Sequence, residues 1–355
     1  MRWDSLRLTD EPPSAVRGRV PLLPRGAVTR TFDTPAFRGI TFHEVTARSA
    51  LNKVPEASRV PFRWTVNPYR GCSHACVYCF ARKTHEYLDL DAGHDFDSQI
   101  VVKTNVGEVL RRELAAPSWR GEHVAMGTNV DCYQRAEGRY RLMPAILTAL
   151  TDAANPFSIL TKGALILRDL PLLAAAAEVS DVSAAVSIGF LDEEVWRRVE
   201  PGTPPPARRL EVVARLTEAG IPTGVLMAPV LPFLTDSEEQ LEATVAAVAA
   251  AGARYLTPIV LHLRPGAREW WQAWLRRERP DLVDRYEALY GNRSYAPAAY
   301  TAQIAACVRG LAARYGVGRS GAVRRRNGSP RPGATRAVRR PQPSPGSCEG
   351  QLSLL

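Results

Sequence analysis

From residue 61 onward, short apolar runs alternate with longer stretches in which apolar residues recur every three or four positions. The short runs are typical of buried strands, and the longer stretches are typical of amphipathic helices. Strands are predicted at residues 65–66, 100–103, 123–127, 157–161, 184–188, 224–227 and 256–261. Because strands and helices alternate, the pattern favours βαβ units and an α/β fold with a parallel sheet.

Helices are predicted at residues 106–115, 143–153, 170–178, 192–199, 208–219, from about 236, and at 268–277, 282–290 and 297–315. We expect Asp236 to cap the helix that begins near it, with Glu239 reaching back to it. Trp270, Trp271 and Trp274 have a spacing that places at least two of them on one helical face. Such a cluster anchors a helix onto the fold or stacks on nucleobases, and we favour anchoring.

Composition changes at both ends of the chain. Prolines interrupt the first 60 residues, which we expect to be irregular and to form an N-terminal arm. The last stretch is rich in Arg, Gly, Pro and Ser, so it cannot bury enough apolar surface to order itself. We therefore predict an arm (1–60), an α/β domain (61–265), a C-terminal helical region (266–316) and a disordered basic tail (317–355).

The net charge of +10 lies mostly in that tail, which contains eight arginines and one acid, Glu349. A DNA partner is therefore expected to contact the tail rather than the nearly neutral folded part. We find no run of 18 apolar residues and no secretion signal at residues 1–5, so we expect a cytoplasmic protein with no membrane partner.

Three of the six cysteines stand together in a C-x3-C-x2-C array: Cys72, Cys76 and Cys79. Directly after a predicted strand, this spacing can turn three sulfurs toward one point, as thiolate ligation of an iron–sulfur cluster requires. A closed 4Fe–4S cluster uses four cysteines, so three would leave one iron open to a substrate or cofactor.

Two other uses of the cysteines remain. A zinc site would combine the three thiols with His74 or His85, although the ligand pairs of zinc sites usually recur at a distance. Disulfides are disfavoured, because six cysteines in 355 residues are sparse and no leader segment points to an oxidising compartment.

The cysteine array, with Tyr78 directly before its third cysteine, resembles the signature of the radical S-adenosylmethionine (radical SAM) enzymes. The resemblance covers about residues 60–265 and is strongest to the branch that contains spore photoproduct lyase, a DNA repair enzyme. It implies a partial (β/α)6 TIM-type barrel, so one of the seven predicted strands, 100–103, should lie outside it. It also implies a 4Fe–4S cluster, S-adenosylmethionine and an electron donor of the flavodoxin or ferredoxin type.

Polar residues that follow the predicted strands are the candidate cofactor contacts, because active sites of parallel barrels gather at the carboxyl ends of the strands. By resemblance, Thr128, Lys162 and Ser187 match positions that hold S-adenosylmethionine, and the backbone of Tyr78 would contact adenine. The alternative is that each is an ordinary polar residue at the end of a strand.

Two further features of this face are less specific. Cys132 is a candidate hydrogen-atom donor to a substrate radical, by resemblance to a lyase cysteine near this strand. The loop that begins at Glu200 has Arg208 and Arg209 beyond it, and either arginine could clamp an anionic group, although solvated charges beside a helix are the alternative. Cys307 is predicted to be a small buried apolar residue, and Cys348 lies in the tail.

The last five residues resemble the peptide by which bacterial DNA replication and repair proteins bind the sliding clamp. These residues are Gln351, Leu352, Ser353, Leu354 and Leu355. A glutamine amide would set the register and the leucines would fill an apolar groove, at the end of a flexible tether.

Together these features predict a radical SAM enzyme that cleaves S-adenosylmethionine to a 5′-deoxyadenosyl radical, which abstracts hydrogen from a substrate. The alternative is a non-catalytic metal-binding adaptor recruited to DNA or the clamp by its tail. Damaged DNA, RNA, a protein side chain or a small metabolite remain open as the substrate.

Overall fold

In the computed structural model, the described residues are 22–24, 26–58 and 60–319. The strands are Val28–Thr31 (β1), Thr41–Val45 (β2), Leu51–Lys53 (β3), Trp64–Val66 (β4), Tyr69–Arg70 (β5), Gln99–Lys103 (β6), Val124–Met126 (β7), Phe157–Thr161 (β8), Val182–Ser187 (β9), Thr223–Val230 (β10), Tyr255–Val260 (β11) and Gly318–Arg319 (β12).

The α-helices are His94–Ser98 (α1), Val106–Leu114 (α2), Arg135–Tyr140 (α3), Leu142–Asp152 (α4), Leu170–Val179 (α5), Glu193–Val199 (α6), Pro206–Glu218 (α7), Glu238–Ala250 (α8), Ala267–Glu278 (α9), Val283–Tyr290 (α10) and Ala298–Arg314 (α11). Shorter 3-10 helices lie at Pro35–Phe37, Phe80–Leu88, Ala164–Asp169 and Pro280–Leu282. No helix in this part of the chain is long and apolar enough to cross a bilayer.

The large sheet has the strand order β12-β11-β10-β9-β8-β7-β4-β3. From β4 to β11, six neighbouring strands run parallel, and β3 pairs antiparallel with β4 at one edge. Helices cover the outside, with α7 packed on β9 and β10, and α11 packed on α8 and β11. This arrangement confirms the predicted α/β class and the partial (β/α)6 barrel.

Strand β10 illustrates why the sequences of the parallel strands are continuous apolar runs. Seven of its eight residues are buried, because a central strand of a parallel sheet is covered on both faces. Its neighbours β9 and β11 pair with it in parallel, with Val225 opposite both Val186 and Leu256.

A second sheet has the order β1-β2-β6-β5. The predicted strand at 100–103 belongs to it, as β6, so its expected position outside the barrel is confirmed. The expectation of irregular structure before residue 61 was wrong for β1, β2 and β3. Prolines exclude long helices but not short strands, and β2 is held by parallel pairing with the distant β6, which no local pattern reveals.

Most helix bounds fall within two residues of the predicted ones, but the cap of α8 is one residue later than expected. The Ser237 hydroxyl accepts a hydrogen bond from the Gln240 backbone N–H, and the Gln240 side-chain oxygen accepts one from the Ser237 backbone N–H. Asp236 instead accepts a hydrogen bond from the Tyr300 hydroxyl. Neighbouring Asp and Ser residues both suit a cap, and the tertiary contact of Asp236 selects Ser237.

The three tryptophans of α9 anchor that helix to the rest of the fold. Trp270, Trp271 and Trp274 are at most 3% exposed, so the favoured packing role is confirmed over nucleobase stacking. Trp271 stacks on Trp274 at 4.8 Å and lies 6.4 Å from the ring of Tyr78. The helical C-terminal region is thus packed directly behind the cysteine loop.

Candidate active site

The cysteine loop begins in one sheet and reaches over the end of the other. Strand β4 of the barrel is followed by the two-residue β5, which pairs with β6 of the second sheet, and the loop starts at Gly71. The Cys72 N–H donates to the Phe96 carbonyl at 2.9 Å. The Gln134 side chain accepts from the Ser73 N–H at 2.8 Å and donates to the Gly71 carbonyl at 2.9 Å.

The far side of the loop is held by the last residue of α6 and by the segment that follows it. The Val77 N–H donates to the Val199 carbonyl, and the Gly202 N–H donates to the His74 carbonyl, both at 2.9 Å. A Cβ atom at Gly202 would lie only 2.1 Å from the Ser73 carbonyl oxygen, so this close approach requires glycine. Hydrogen bonds to the backbone of the loop therefore hold it from both sides.

All three cysteines of the array line one cleft with the predicted strand-end residues. The cleft is open to solvent and has ≈ 1080 Å³ of free space, including its open part. Its lining includes Cys72, Cys76, Cys79, Tyr78, Thr128, Lys162 and Ser187. The structure thus brings together every predicted metal and cofactor contact.

Burial dominates the chemistry of the thiols. It raises the pKa of Cys72, Cys76 and Cys79, since a thiolate loses its hydration in this environment. Lys162 works against that effect at Cys76. Buried thiols become stable thiolates when a metal centre supplies positive charge, so this donor set fits an iron–sulfur cluster.

Lys162 connects two strand ends at the cleft. Its ammonium group donates to the Ser187 hydroxyl at 2.8 Å, and that hydroxyl donates to the Ala228 carbonyl, also at 2.8 Å. The ammonium nitrogen lies 5.8 Å from the centre of the Tyr78 ring. A positive charge between the ends of β8 and β9 suits the carboxylate of an amino-acid-like ligand.

Asp131 connects the loop after β7 to the end of β8 by hydrogen bonds. It accepts hydrogen bonds from the Thr161 hydroxyl and the Lys162 N–H, both at 2.7 Å, and its carboxylate lies 3.3 Å from the His74 imidazole. Burial alone would raise the pKa of Asp131, but His74 and these hydrogen bonds bring it to about 2. A fixed negative charge on Asp131 therefore lies beside His74 of the cysteine loop.

Glu200 forms a second buried junction. It accepts a hydrogen bond from the Tyr78 hydroxyl and pairs with the Arg209 guanidinium, which also donates to the Ser187 carbonyl at 2.9 Å. Burial opposes ionisation of Glu200, but Arg209 keeps its pKa below the usual value. The anion that Arg209 clamps is thus Glu200 itself, whereas Arg208 is exposed and pairs with Glu211 on the surface.

Cys132 lies outside the lining of the cleft. It is fully buried in the main hydrophobic core. Burial raises the pKa of its thiol. Its role as a hydrogen-atom donor therefore stays a prediction, without support from its position. Cys307 is partly buried on α11, and Cys348 lies outside the described residues.

Several cleft residues were not among the predicted cofactor contacts. His74, considered only as a zinc ligand, and Asp131 lie beside the cysteines, and Phe62, Phe80 and His262 line the cleft as well. His262 follows β11, so the strand-end rule that selected Lys162 would also have selected it. Burial and Arg264 lower the pKa of His262 to about 4, so the imidazole is neutral at physiological pH.

No set of three His, Cys, Asp or Glu side chains within residues 22–24, 26–58 and 60–319 is arranged to hold a single metal ion. His74 faces Asp131, while His85 bonds the Gln99 carbonyl at 2.8 Å and packs edge-on against Phe96. Neither histidine joins the cysteines in a zinc-type site.

Comparison with known families then decides the class. A model of the radical SAM superfamily matches residues 66–245, which include the cysteine array and the strand ends from β7 to β10. The chain belongs to the radical SAM superfamily. This superfamily uses a 4Fe–4S cluster and S-adenosylmethionine, so the zinc alternative is set aside.

Relatives of this radical SAM protein include an uncharacterized protein of Mycobacterium tuberculosis, 53% identical over 315 residues, which are 89% of this chain and 93% of the relative. An uncharacterized protein of Methanocaldococcus jannaschii is 27% identical over 197 residues, covering 55% and 70% of the two chains. Among solved structures, spore photoproduct lyase complexed with dinucleoside spore photoproduct has a TM-score of 0.58 at 16% identity. The match covers 77% of this chain and 79% of that one. At this identity the likeness shows the fold alone.

Proposed function

We propose that this radical SAM protein binds its 4Fe–4S cluster through Cys72, Cys76 and Cys79 and holds S-adenosylmethionine at the neighbouring strand ends. In this proposal Lys162 meets the methionine carboxylate, Ser187 and Thr128 contribute hydrogen bonds, and the Tyr78 backbone contacts adenine. The observation that carries the proposal is that the three thiols and these strand-end residues line one cleft.

Three thiolates would satisfy three irons of a cubane and would leave the fourth iron free to bind S-adenosylmethionine. When bound and reduced, the cluster would supply the one electron needed to cleave S-adenosylmethionine to methionine and a 5′-deoxyadenosyl radical, the species that abstracts hydrogen from a substrate. The residues of the chain bury the thiols, orient the ligand and limit the access of water.

The substrate is expected to contact cleft residues that the cofactor proposal leaves unassigned, among them Phe62, Phe80, Ile259 and His262. These side chains are mostly apolar, with one neutral imidazole, so they suit a ligand with an unsaturated or apolar face and few charges. A lyase-like reaction on damaged DNA is the specific candidate, and it rests on the fold shared with spore photoproduct lyase.

The adaptor alternative is less favoured by the geometry. An adaptor that only binds metal has no use for a lysine and a serine joined across two strand ends beside the cysteines. The experiment that separates the two functions is anaerobic reconstitution with iron and sulfide, followed by reduction and addition of S-adenosylmethionine.

The enzyme proposal expects brown protein with about four irons per chain and 5′-deoxyadenosine detected by mass spectrometry. Cys76→Ala should abolish both, whereas the matched control Cys307→Ala, on the outer helix α11, should retain both. A colourless, zinc-loaded wild type without product would favour the adaptor. Deuterium transfer from labelled candidates into 5′-deoxyadenosine would then identify the substrate class.

Partners of the tail are a separate part of the proposal, because residues 320–355 lie outside the described residues. We infer sliding-clamp binding from residues 351–355 and DNA contact from the arginines before them. Clamp binding should be measurable for the full chain and lost on removal of residues 351–355. Equal, negligible binding by both would exclude it. The reductant is expected to be a flavodoxin or ferredoxin.

A further inference from the structure

Arg82 lies three residues after Cys79, in the 3-10 helix Phe80–Leu88, and its side chain has no solvent exposure. Its guanidinium reaches back to the cysteine loop, where Nη2 and Nε donate to the Cys76 carbonyl at 2.9 and 3.3 Å. Nη1 donates to the Gly93 carbonyl at 2.7 Å. One side chain therefore ties the middle of the cysteine array to the segment before α1.

Asp97 is the charged partner of this arginine. Nη2 lies 3.0 and 2.9 Å from the two carboxylate oxygens, and Asp97 is also almost completely buried. The guanidinium carbon lies 4.9 Å from the Trp270 ring centre and 5.3 Å from that of Phe96. The cation is thus enclosed by two rings, a carboxylate and backbone carbonyls.

A buried ion pair contributes little net stability compared with well-packed apolar residues, so stability alone is a weak reason for this arrangement. The location of the Arg82–Asp97 pair beside the cysteine array suggests a more specific role. The Cys76 carbonyl that Arg82 holds lies within the array, and the guanidinium is fully buried three residues after Cys79. The positive charge of Arg82 is therefore held against the backbone of the array, with the buried Asp97 carboxylate as its partner.

We propose that Arg82 positions the cysteine loop and raises the reduction potential of the bound cluster, with Asp97 as an opposing charge. The inference rests on the proposed cluster site. Reduction adds a negative charge to a centre that already carries three thiolates, so a nearby buried cation favours the reduced state. Because Arg82 is fully buried, its charge is screened less than that of a surface residue, and its effect on the cluster is expected to be larger.

The test is a redox titration of the reconstituted holoprotein at a pH well above 7, where Asp97 carries its charge, followed by the electron paramagnetic resonance signal of the reduced cluster. Arg82→Gln retains a hydrogen-bonding amide but removes the charge, and Arg82→Lys retains the charge. Asp97→Asn removes the opposing charge while keeping the shape. Iron content and thermal unfolding midpoints are recorded for each protein.

We expect R82Q to lower the ratio of reduced to oxidised cluster at a fixed potential at least tenfold, which is 59 mV for one electron. R82K should remain nearer to wild type, and D97N should shift the potential upward. Packing damage alone would not move R82Q and D97N in opposite directions.

An unchanged potential in iron-replete R82Q, or a D97N potential equal to or below that of wild type, would overturn the inference. If R82Q fails to retain iron, the direction of the D97N shift still decides it. Failure of the wild type to bind a cluster would instead count against the proposed function.

Discussion

Lys162 places a positive charge in the cleft, where a ligand could bind it. Its ammonium group bridges to Ser187 across two strand ends and lies above the face of the Tyr78 ring. Within the cleft, its charge is close enough to Cys76 to oppose the effect of burial on that thiol. A ligand carboxylate placed here would gain a charge-assisted hydrogen bond.

Lys162→Met should weaken S-adenosylmethionine binding about 10- to 100-fold, because a hydrogen bond to a charged group contributes about 1.5–3 kcal/mol. Equilibrium dialysis with the reconstituted protein measures this. Lys53→Met, at an exposed position of β3, is the matched control and should bind as wild type does. Equal affinity of K162M and wild type would remove Lys162 from the binding site.

His85 makes stability depend on pH. Burial lowers its pKa from the usual 6.5 to about 4, and its Nδ1 has no hydrogen-bond partner among the described residues. Between these pKa values the unfolded chain binds more protons at this histidine than the folded protein, so stability falls as the pH decreases from 6.5 to 4. Asp97 acts in the opposite direction, since burial raises its pKa to about 7.

His85→Gln isolates this contribution, because Asp97 is present in both proteins. From pH 7 to pH 5, wild type should lose about 2 kcal/mol of unfolding free energy relative to H85Q. Thermal unfolding midpoints at several pH values check the difference. Parallel curves for the two proteins would contradict the neutral buried state of His85.

At the residue scale, the sequence predicts which strand-end residues line the cleft but not the hydrogen bonds that support them. Thr128, Lys162 and Ser187 follow buried strands, and chain order alone places such residues at one edge of a parallel sheet. The junction of Tyr78 with Glu200 joins residues far apart in the chain, through two loops whose conformations no local pattern specifies. Cys132 was selected by resemblance, and only the fold reveals that it points into the core.

Among the secondary-structure elements, the segment after α6 has the clearest effect on the site. It carries Glu200 and brings Gly202 against the cysteine loop, with the Gly202 N–H bonded to the His74 carbonyl. Because the two backbones touch, any side chain at Gly202 would push them apart. The shape of the cysteine loop therefore depends on an element more than 120 residues further along the chain.

Gly202→Ala should destabilise the protein by about 1–3 kcal/mol, as overpacking of a tight contact does, and should lower iron retention. Gly310→Ala is the matched control, since nothing lies within 4 Å of a Cβ atom there on α11. That substitution should be neutral or slightly stabilising. Unfolding midpoints and iron analysis give the result, and a G202A protein with wild-type values of both would contradict the close contact.

The elements themselves were predictable to different degrees. The parallel strands and outer helices have strong periodic patterns, and their bounds agree closely with prediction. Strands β1 to β3 were missed, because they are short and rely on pairing with β4 and the distant β6. The cap of α8 was misplaced by one residue, because two adjacent residues both suit the position.

For the whole molecule, the open parallel sheet explains why the site lies where it does. The carboxyl ends of β4, β7, β8 and β9 meet at one edge, where the second sheet and α9 hold the cysteine loop over them. Radical SAM membership adds the two cofactors that this cleft fits. The excess positive charge lies in the C-terminal tail, whereas the residues that line the cleft belong to the nearly neutral remainder of the chain.

The central claim is that three cysteines of this chain leave one iron of a cubane open to S-adenosylmethionine. Mössbauer spectroscopy of the iron-57 holoprotein, with and without S-adenosylmethionine, tests it most directly. The account predicts that about one quarter of the iron signal changes when the ligand is added, because one of four irons gains new ligands. A spectrum that does not respond to S-adenosylmethionine, or a wild-type protein without a cubane cluster, would contradict it.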